Sequence, residues 1–352
     1  MDLLVGIGRE IITPEIGCNL YGYQPDIYSE SKHDDLTATA FAITYGDTKA
    51  MLISITVCQV GTDDLTKLRA DVAEKTGIPT ENIMISSTHT HTGPITMNSD
   101  GWGAKDEKYY QNILVPGVIA AAVKANDTQE AVTVGSAVGN SDVGINRREL
   151  TLNNKIALGQ SVWDPYDPRM TILSFKNKAG KIIGNIISYG CHGTCSGTAT
   201  AIGRDWSGIM IDTLEAYTGG ITAFFNDTNG DIGPRLFNGK TTGNIALMEE
   251  HGRFAARDAI RIFDQIKEYE AVSAAVCSDT LQLPLQPRMP YEEAVSLCDP
   301  ETEKNATNLQ KKMLAFYRRV KESYETGYEE VSHKGIFQNI IRIGSFAFVS
   351  MP

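Results

Sequence analysis

Residues 50–87 restrict the possible folds of this chain more than any other part of the sequence. Residues 50–57 form an apolar run of β type, residues 62–75 carry apolar side chains at helical spacing, and residues 82–86 are a second short apolar run. Gly77, which follows the helical pattern, is a typical helix stop. A strand, a helix and a strand in this order predict a βαβ unit with two parallel strands.

The rest of the chain combines hairpin signals with helical patterns. Gly46-Asp47 separates strand-like residues 36–45 from residues 50–57, and Lys178-Ala179-Gly180 separates two further apolar runs. Because hairpins join antiparallel strands and the βαβ unit joins parallel ones, we expect an α/β fold of the mixed α+β kind, in which helices flank a large mixed β-sheet core. The other predicted strands are residues 3–12, 131–138, 170–175, 182–189, 221–225, 271–283 and 336–351, and the other predicted helices are residues 108–124, 206–217, 243–267 and 290–326.

The length of 352 residues fits one large domain or two smaller ones. No linker-like stretch clearly divides the chain, so we expect residues 1–352 to form a single domain. Residues 289–330 are highly charged and mostly helical in pattern. We predict that they form a helical insertion on the outside of that domain.

Composition excludes several classes of protein. The chain has 32 basic and 43 acidic residues, a net charge of −11, whereas a nucleic-acid-binding surface needs a basic excess. No apolar run reaches the ~20 residues that span a bilayer. The N-terminus lacks a basic region followed by a long apolar one, so we expect a cytoplasmic chain, with a secreted form after signal cleavage as the alternative. Six cysteines are too few for a disulfide scaffold.

The sharpest chemical signal is the pair His89 and His91, directly after the predicted strand at residues 82–86. Side chains two residues apart in an extended segment point to the same side, so both imidazoles can enter one pocket. The carboxyl ends of parallel strands are where α/β folds place their sites, and imidazole is a common ligand of Zn²⁺. The alternative is two ordinary surface or core histidines.

His192 also follows an apolar strand and lies in a glycine-flanked loop. It could extend a metal site that cysteines or carboxylates complete. Its neighbours Cys191 and Cys195 are possible zinc thiolates, although structural cysteine sites usually need two such pairs and no second pair exists in the sequence.

Three further loops carry polar side chains. Residues 227–238 begin like a calcium-binding loop, but Ile232 and Asn238 replace its essential glycine and glutamate, which excludes calcium. Asp231 can still reach a substrate, whereas Asp205 can simply be the N-cap of the following helix. Arg147, expected in a loop, can bind a carboxylate or stabilise an oxyanion.

The order of these motifs resembles a known family. Residues 12–14 followed by residues 21–23 (ITP and YGY) look like the N-terminal signature of the neutral/alkaline non-lysosomal ceramidases. Residues 88–94, THTHTGP, are similar to that family's THTHSGP, and residues 230–234, GDIGP, to its GDVSP. The remaining matches are Asn146-Arg147 and His192, so the resemblance extends in order over essentially the whole chain, as in a divergent bacterial-type member.

The resemblance implies a zinc-dependent hydrolase of amide bonds that acts on N-acylsphingosine and belongs to lipid and sphingolipid metabolism. It makes His89 and His192 zinc ligands, and His91 and Arg147 catalytic residues. Zinc would activate water, and Asp205 and Asp231 would orient the histidines. We therefore expect the nearest ring nitrogens of His89 and His192 within roughly 4 Å of each other. Arg147 and Asp231 should line the same cleft as His91.

Two features of this sequence depart from the family's pattern. Gly233 stands where the family has a serine implicated in activity, which favours a hydrolase of a different small amide or ester. The sequence ends at Met351-Pro352, where the family's PGE motif with its glutamate ligand would begin, so we expect this chain by itself to bind zinc weakly or through an improvised ligand such as Asp205 or Asp231.

Two other classes of protein are compatible with the motifs. One is a catalytically inactive binding descendant of the family. The other is a TIM-barrel amidohydrolase, which also carries an HxH pair, although that fold expects the pair near the chain start.

Overall fold

The structure is a computed structural model that describes residues 1–99, 102–298, 308–327 and 330–351, with the side chains of residues 308–312 left out. The strands are β1 (Leu3–Ile11), β2 (Asn19–Leu20), β3 (Ile27–Tyr28), β4 (Ser31–Lys32), β5 (Thr37–Tyr45), β6 (Thr48–Ile55), β7 (Ile83–Ser87), β8 (Glu130–Asn140), β9 (Gly144–Leu150), β10 (Ile156–Ser161), β11 (Arg169–Asn177), β12 (Ile182–Tyr189), β13 (Ala201–Ile202), β14 (Ile221–Asn226), β15 (Ile232–Pro234), β16 (Ala274–Pro284), β17 (His333–Ile343) and β18 (Phe346–Val349). The helices are α1 (Thr62–Thr76), α2 (Glu107–Tyr109), α3 (Val115–Asp127), α4 (Asp205–Thr218), α5 (Ile245–Phe263), α6 (Tyr291–Leu297) and α7 (Asn308–Glu325), with a π turn at Tyr110–Leu114 and a 3₁₀ turn at Thr80–Asn82.

The largest sheet has eight strands in the order β14-β12-β11-β8-β1-β5-β6-β7. The pairs β12–β14 and β6–β7 are parallel, and the other pairs in this sheet are antiparallel. The predicted mixed sheet flanked by helices is therefore confirmed, together with the βαβ unit β6-α1-β7. Helix α1 ends at Gly77, whose φ of 67° places it in the left-handed conformation that closes many helices.

The two faces of this sheet bury different cores, because side chains alternate along each strand. On β5, Ala38, Ala40 and Ala42 face α1 and α3, while Phe41 and Ile43 face the other side. On β11 and β12 the helix-facing side chains instead pack into a core that includes α4 and α5. The small sheet β16-β17-β18 contributes side chains to the core on the opposite face.

The large sheet curves until its two edge regions meet. The Ser54 hydroxyl of β6 donates a hydrogen bond to the Phe224 carbonyl of β14 at 2.6 Å. The Asn226 amide, at the end of β14, donates to the Thr88 carbonyl just after β7 at 2.8 Å. We call this contact between the two edges the seam. Because β7, β12 and β14 all end there, it brings the loops after these strands together.

Two predicted elements differ from the observed ones. The helix expected over residues 108–124 is divided into α2, a π turn and α3, since Pro116 has no N–H and the Val115 N–H bonds back five residues to the Tyr110 carbonyl. Residues 144–161 form the hairpin β9–β10, which the sequence analysis missed. This hairpin pairs with β15 to make a separate three-stranded sheet.

Within the described residues, the segment 289–330 contains α6 and α7, which lie between β16 and its antiparallel partner β17. Residues 299–307 and 328–329 of that segment lie outside the described residues, and its status as an insertion stays a prediction. None of the helices in the described part of the chain is both long and apolar enough to cross a membrane.

Candidate metal and hydrolase site at the seam

The loop after β7 supplies two histidines. In it, threonines alternate with histidines, and the hydroxyls of Thr90 and Thr92 both donate to the Gly203 carbonyl, at 2.8 and 3.0 Å. The alternation therefore anchors the threonines and leaves the imidazoles on the opposite side. His89 has a φ of 65°, a left-handed conformation that is uncommon outside glycine and is typical of functional positions.

The loop after β12 supplies His192, which is buried. Its backbone N–H donates to the Ile232 carbonyl at 3.1 Å, and its own carbonyl accepts from the Trp206 indole at 3.0 Å. The seam places this histidine opposite the loop after β7, although His89 and His192 are 103 residues apart in sequence.

The Nε2 atoms of His89 and His192 lie 3.2 Å apart, so the predicted proximity is confirmed. The Nδ1 atom of His89 is 2.8 Å from the Cys58 carbonyl, and that of His192 is 2.6 Å from the Asn229 carbonyl. A carbonyl only accepts hydrogen bonds, so each neutral ring carries its proton on Nδ1. Both Nε2 lone pairs then point at the same space, which is unfavourable unless a cation or a proton lies between them.

His91 completes a cluster of three imidazoles. Its ring centroid lies 5.0 Å from that of His89 and 5.6 Å from that of His192. Neither ring nitrogen has a well-formed hydrogen bond within the described residues, although the Gly22 backbone lies beside Nδ1. Gly22 has a φ of 131°, and a Cβ atom there would come within 2.3 Å of that Nδ1. This close approach explains why glycine stands in the YGY motif.

Asn226 holds the two histidine loops together. Its amide group donates to the Thr88 carbonyl at 2.8 Å and the Cys191 carbonyl at 3.0 Å, and its side-chain oxygen accepts from the Cys191 N–H at 3.1 Å. The sequence analysis did not single out this side chain, because its role depends on contacts with two distant loops.

Arg147 lies on β9, not in a loop as predicted, because its backbone N–H pairs with the Asp231 carbonyl at 2.7 Å. Its Nε and Nη2 atoms donate to the Gly230 carbonyl at 3.1 and 2.9 Å, which fixes the plane of the guanidinium. Asp231 lies beside this contact and its side chain is exposed. Arg147 and Asp231 are thus neighbours, and Arg147 is close enough to the imidazoles to act on their charge.

Backbone carbonyls, rather than the carboxylates of Asp205 or Asp231, lie against the Nδ1 atoms of His89 and His192. The buried carboxylate of Asp205 instead accepts hydrogen bonds from the N–H groups of Cys195 and Ser196, the Ser196 hydroxyl and the Trp206 N–H, at 2.7–3.0 Å. Asp205 has a φ of 54° at the start of α4. It anchors the loop that follows His192, so its carboxylate is not oriented as a metal ligand.

The surroundings of the cluster favour neutral imidazoles. Burial lowers the pKa of His192 to about 3, with a further lowering from the positive charge of Arg147. Burial also lowers the pKa of His89 and, more strongly, that of His91, and the charge of Arg147 acts in the same direction on both. Burial lowers the pKa of Arg147 itself. Neutral imidazole is the form that binds metals.

Cys58 belongs to a second combination of possible metal donors, which the sequence analysis did not identify. Ligand atoms of Cys58, His89 and His91 lie within 4.8 Å of one another, and the Cys58 Sγ is 3.6 Å from the His89 Nδ1. That Nδ1 already bonds to the Cys58 carbonyl, whereas the Nε2 atoms of His89 and His192 face each other. The paired Nε2 atoms are therefore the better candidate ligands.

Fold and site together define a mixed α/β protein with a histidine-lined polar site at the carboxyl ends of its strands. The sequence profile described as neutral/alkaline non-lysosomal ceramidase, N-terminal, matches residues 3–251. The chain belongs to this family.

Individual relatives agree with this assignment. Neutral ceramidase A of Dictyostelium discoideum is 24% identical over 254 residues, which cover 65% of this chain and 35% of the relative. Neutral ceramidase 2 of Arabidopsis thaliana is 28% identical over 232 residues, 60% of this chain and 30% of the relative. The matched region thus spans about a third of these curated relatives.

Two solved structures have the same fold. The crystal structure of neutral ceramidase from Pseudomonas aeruginosa matches with a TM-score of 0.73 at 18% identity, over 99% of this chain and 62% of that one. A structure described as ceramidase complexed with C2 also matches with a TM-score of 0.73, at 17% identity, over 99% of this chain and 63% of that one.

Proposed function

We propose that this chain is the catalytic domain of a zinc-dependent amidase of ceramidase type, which hydrolyses the amide bond of N-acylsphingosine in sphingolipid metabolism. The observation that carries the proposal is the pair of Nε2 atoms, 3.2 Å apart, on two histidines whose Nδ1 atoms are bonded to backbone carbonyls. Family membership supports the amide substrate.

The residues present fit a zinc ion. His89 and His192 would hold it, since zinc binds neutral imidazole nitrogens and each ring is fixed from behind by a carbonyl. When bound, zinc supplies Lewis-acid chemistry and activates water near neutral pH.

Arg147 and His91 would act on the substrate itself. The fixed guanidinium of Arg147 can stabilise the negative charge that develops on the amide oxygen. The Nε2 atom of His91 is the ring nitrogen away from Gly22, and it can take a proton from the attacking water and return it to the departing amine. Burial of the cluster strengthens these electrostatic interactions.

A second candidate function is hydrolysis of a smaller amide or ester. Gly233 lies on β15 beside Arg147, and a Cβ atom there would come within 2.7 Å of the Thr241 Cγ2. A serine side chain therefore has no space in this arrangement unless Thr241 moves. The chain must do without the family's site serine, which favours a substrate other than the family's usual one.

Zinc titration and an amidase assay on the same samples test the proposal. We expect saturable but weak zinc binding by the chain, zinc-stimulated hydrolysis of a detergent-solubilised N-acylsphingosine, and loss of both in His89→Gln and His192→Gln. His333→Gln, a change at an exposed histidine on β17, is the matched control and should preserve both. Unchanged zinc binding by the double variant His89→Gln/His192→Gln would refute the assigned ligands. Faster hydrolysis of short water-soluble amides than of N-acylsphingosine would favour the second candidate.

A further inference from the structure

The hairpin β9–β10 and the residues that follow it expose six large apolar side chains. Leu152 at its tip is fully exposed (105%), and Trp163 just after β10 is 92% exposed. We call the whole set the apolar ribbon: Leu150, Leu152, Ile156, Leu158, Val162 and Trp163. An apolar surface of this kind is unfavourable in water and indicates a contact with another protein or with a lipid surface.

The strand register places part of the ribbon on one face. Ile156 lies directly opposite Leu150, and Leu158 lies opposite Arg148, two residues before Leu150 on the same strand. Side chains two apart share a face, so Leu150, Ile156 and Leu158 form one apolar surface. Only β9 of the hairpin pairs with β15, which leaves β10 as an edge strand.

The hairpin connects the ribbon to the proposed active site. Arg147 precedes Leu150 by three residues on β9, a distance of about 10 Å along a strand. The hairpin therefore extends from the guanidinium beside the imidazoles out to the exposed tip. A substrate with long apolar chains resides in a lipid layer, so a site that accepts it needs an apolar surface of this kind at its edge.

The hairpin itself carries a small basic excess. Residues 144–163 contain three basic side chains, Arg147, Arg148 and Lys155, and one acidic side chain, Glu149, in a chain whose net charge is −11. Exposed leucines, a tryptophan and nearby basic groups are the combination found in segments that lie in the membrane interface. A negatively charged lipid headgroup layer is complementary to this surface.

We infer that the apolar ribbon is a membrane-docking element that inserts into the surface of a lipid bilayer containing anionic headgroups and so positions the seam over its substrate. The inference rests on the proposed function for the choice of a lipid as substrate. The docking itself depends only on the exposed side chains and the local charge.

Vesicle sedimentation of the whole chain tests the inference without any enzymatic readout. We expect wild-type protein to bind vesicles of phosphatidylcholine mixed with phosphatidylserine, and the double variant Leu152→Ser/Trp163→Ser to bind at least tenfold more weakly. Ile16→Ser/Tyr28→Ser, an exposed apolar and aromatic pair elsewhere, is the matched control and should bind like wild type. Lys155→Glu should weaken binding to the mixed vesicles more than to phosphatidylcholine alone.

Other outcomes overturn the inference. Wild-type protein that does not sediment with vesicles contradicts it, as does equal binding by the double variant with unchanged near-ultraviolet circular dichroism. If light scattering without vesicles shows a dimer that the double variant dissociates, and vesicle binding is absent, the ribbon is an interface with a second copy. Hydrolysis of detergent-solubilised substrate without vesicle binding counts against this inference alone, whereas vesicle binding without hydrolysis counts against the proposed function alone.

Discussion

Hydrogen bonds within the protein determine which atoms of each residue at the seam are left to bind a ligand or a substrate. His89 and His192 each bind a carbonyl through Nδ1 and keep Nε2 free, whereas both ring nitrogens of His91 lack a well-formed partner within the described residues. Arg147 uses two of its nitrogens to bind one carbonyl, so its position is fixed before any substrate arrives. Fixed donors of this kind do not have to reorganise during a reaction, which makes them effective at stabilising charge.

Replacing Arg147 with alanine should lower kcat/KM about 100- to 1,000-fold on detergent-solubilised substrate, because one oxyanion donor is worth roughly that much. The free energy of unfolding should change far less than the activation free energy of the reaction, because the guanidinium is only half-buried. Arg148→Ala is the control, because Arg148 also donates to the Gly230 carbonyl, at 3.2 Å, from the next position of the same strand. Equal losses in the two variants would show that Arg147 acts only by holding that loop.

Sequence patterns predicted these residues unequally well. The pair His89 and His91 could be predicted, because the apolar strand before it and the alternation of histidine with threonine are both visible in one short stretch of sequence. Asn226 and Cys58 could not be assigned in this way, since their contacts with the histidine loops exist only after strands far apart in sequence have met. The carbonyls that orient the imidazoles leave no mark in the sequence, which is why carboxylates were expected there instead.

Secondary-structure elements place the site by ending at the same point. The strands β6, β7, β12 and β14 were predictable because buried strands are continuous apolar runs. The hairpin β9–β10 was not, because several of its large apolar side chains face outwards, so its strands are not continuous buried apolar runs. Helix α4 has a second role, since its first residue, Asp205, accepts the hydrogen bonds that hold the loop after His192.

We expect Asp205→Ala to lower the free energy of unfolding by about 3 kcal/mol, because it leaves buried N–H groups of Cys195 and Ser196 without an acceptor. Asp205→Asn keeps one acceptor oxygen and should lose less. Urea unfolding of these variants gives the measurement, with Asp63→Ala at an exposed position of α1 as the control, expected within about 0.5 kcal/mol of wild type. If Asp205→Ala matched the control, the anchoring role would be refuted.

At the scale of the whole molecule, the buried histidines tie stability to pH. His251 of α5 is 5% exposed and packs edge-on against Trp206, with ring centroids 6.3 Å apart. Burial lowers its pKa to about 4 from the ordinary value of 6.5. The unfolded chain therefore binds a proton at a pH where the folded chain does not, so stability from this group is complete above about pH 6.5 and decreases as the pH falls towards 4.

Between pH 7 and pH 5, wild-type protein should lose about 2 kcal/mol more stability than His251→Gln, which cannot titrate. Urea unfolding gives the free energy of unfolding of each protein at both pH values. The two proteins are then compared by their change between pH 7 and pH 5, because any loss of packing in the variant is the same at both pH values and cancels. His333→Gln, at an exposed site, should show the wild-type pH dependence. Identical pH dependence in wild type and His251→Gln would contradict a lowered pKa for His251 in the folded chain.

Because the site is assembled at the seam, it cannot be transferred to another protein as one short piece of sequence. A short segment around His89 and His91 lacks Arg147, His192 and Asn226. The segment from Arg147 to Asn226 lacks the first two histidines. No short contiguous piece of the chain can be transplanted with its chemistry intact, because the site exists only where the two edges of one sheet close on each other. The distance between the two imidazoles therefore depends on the position of both edge strands, although the histidines lie 103 residues apart in sequence.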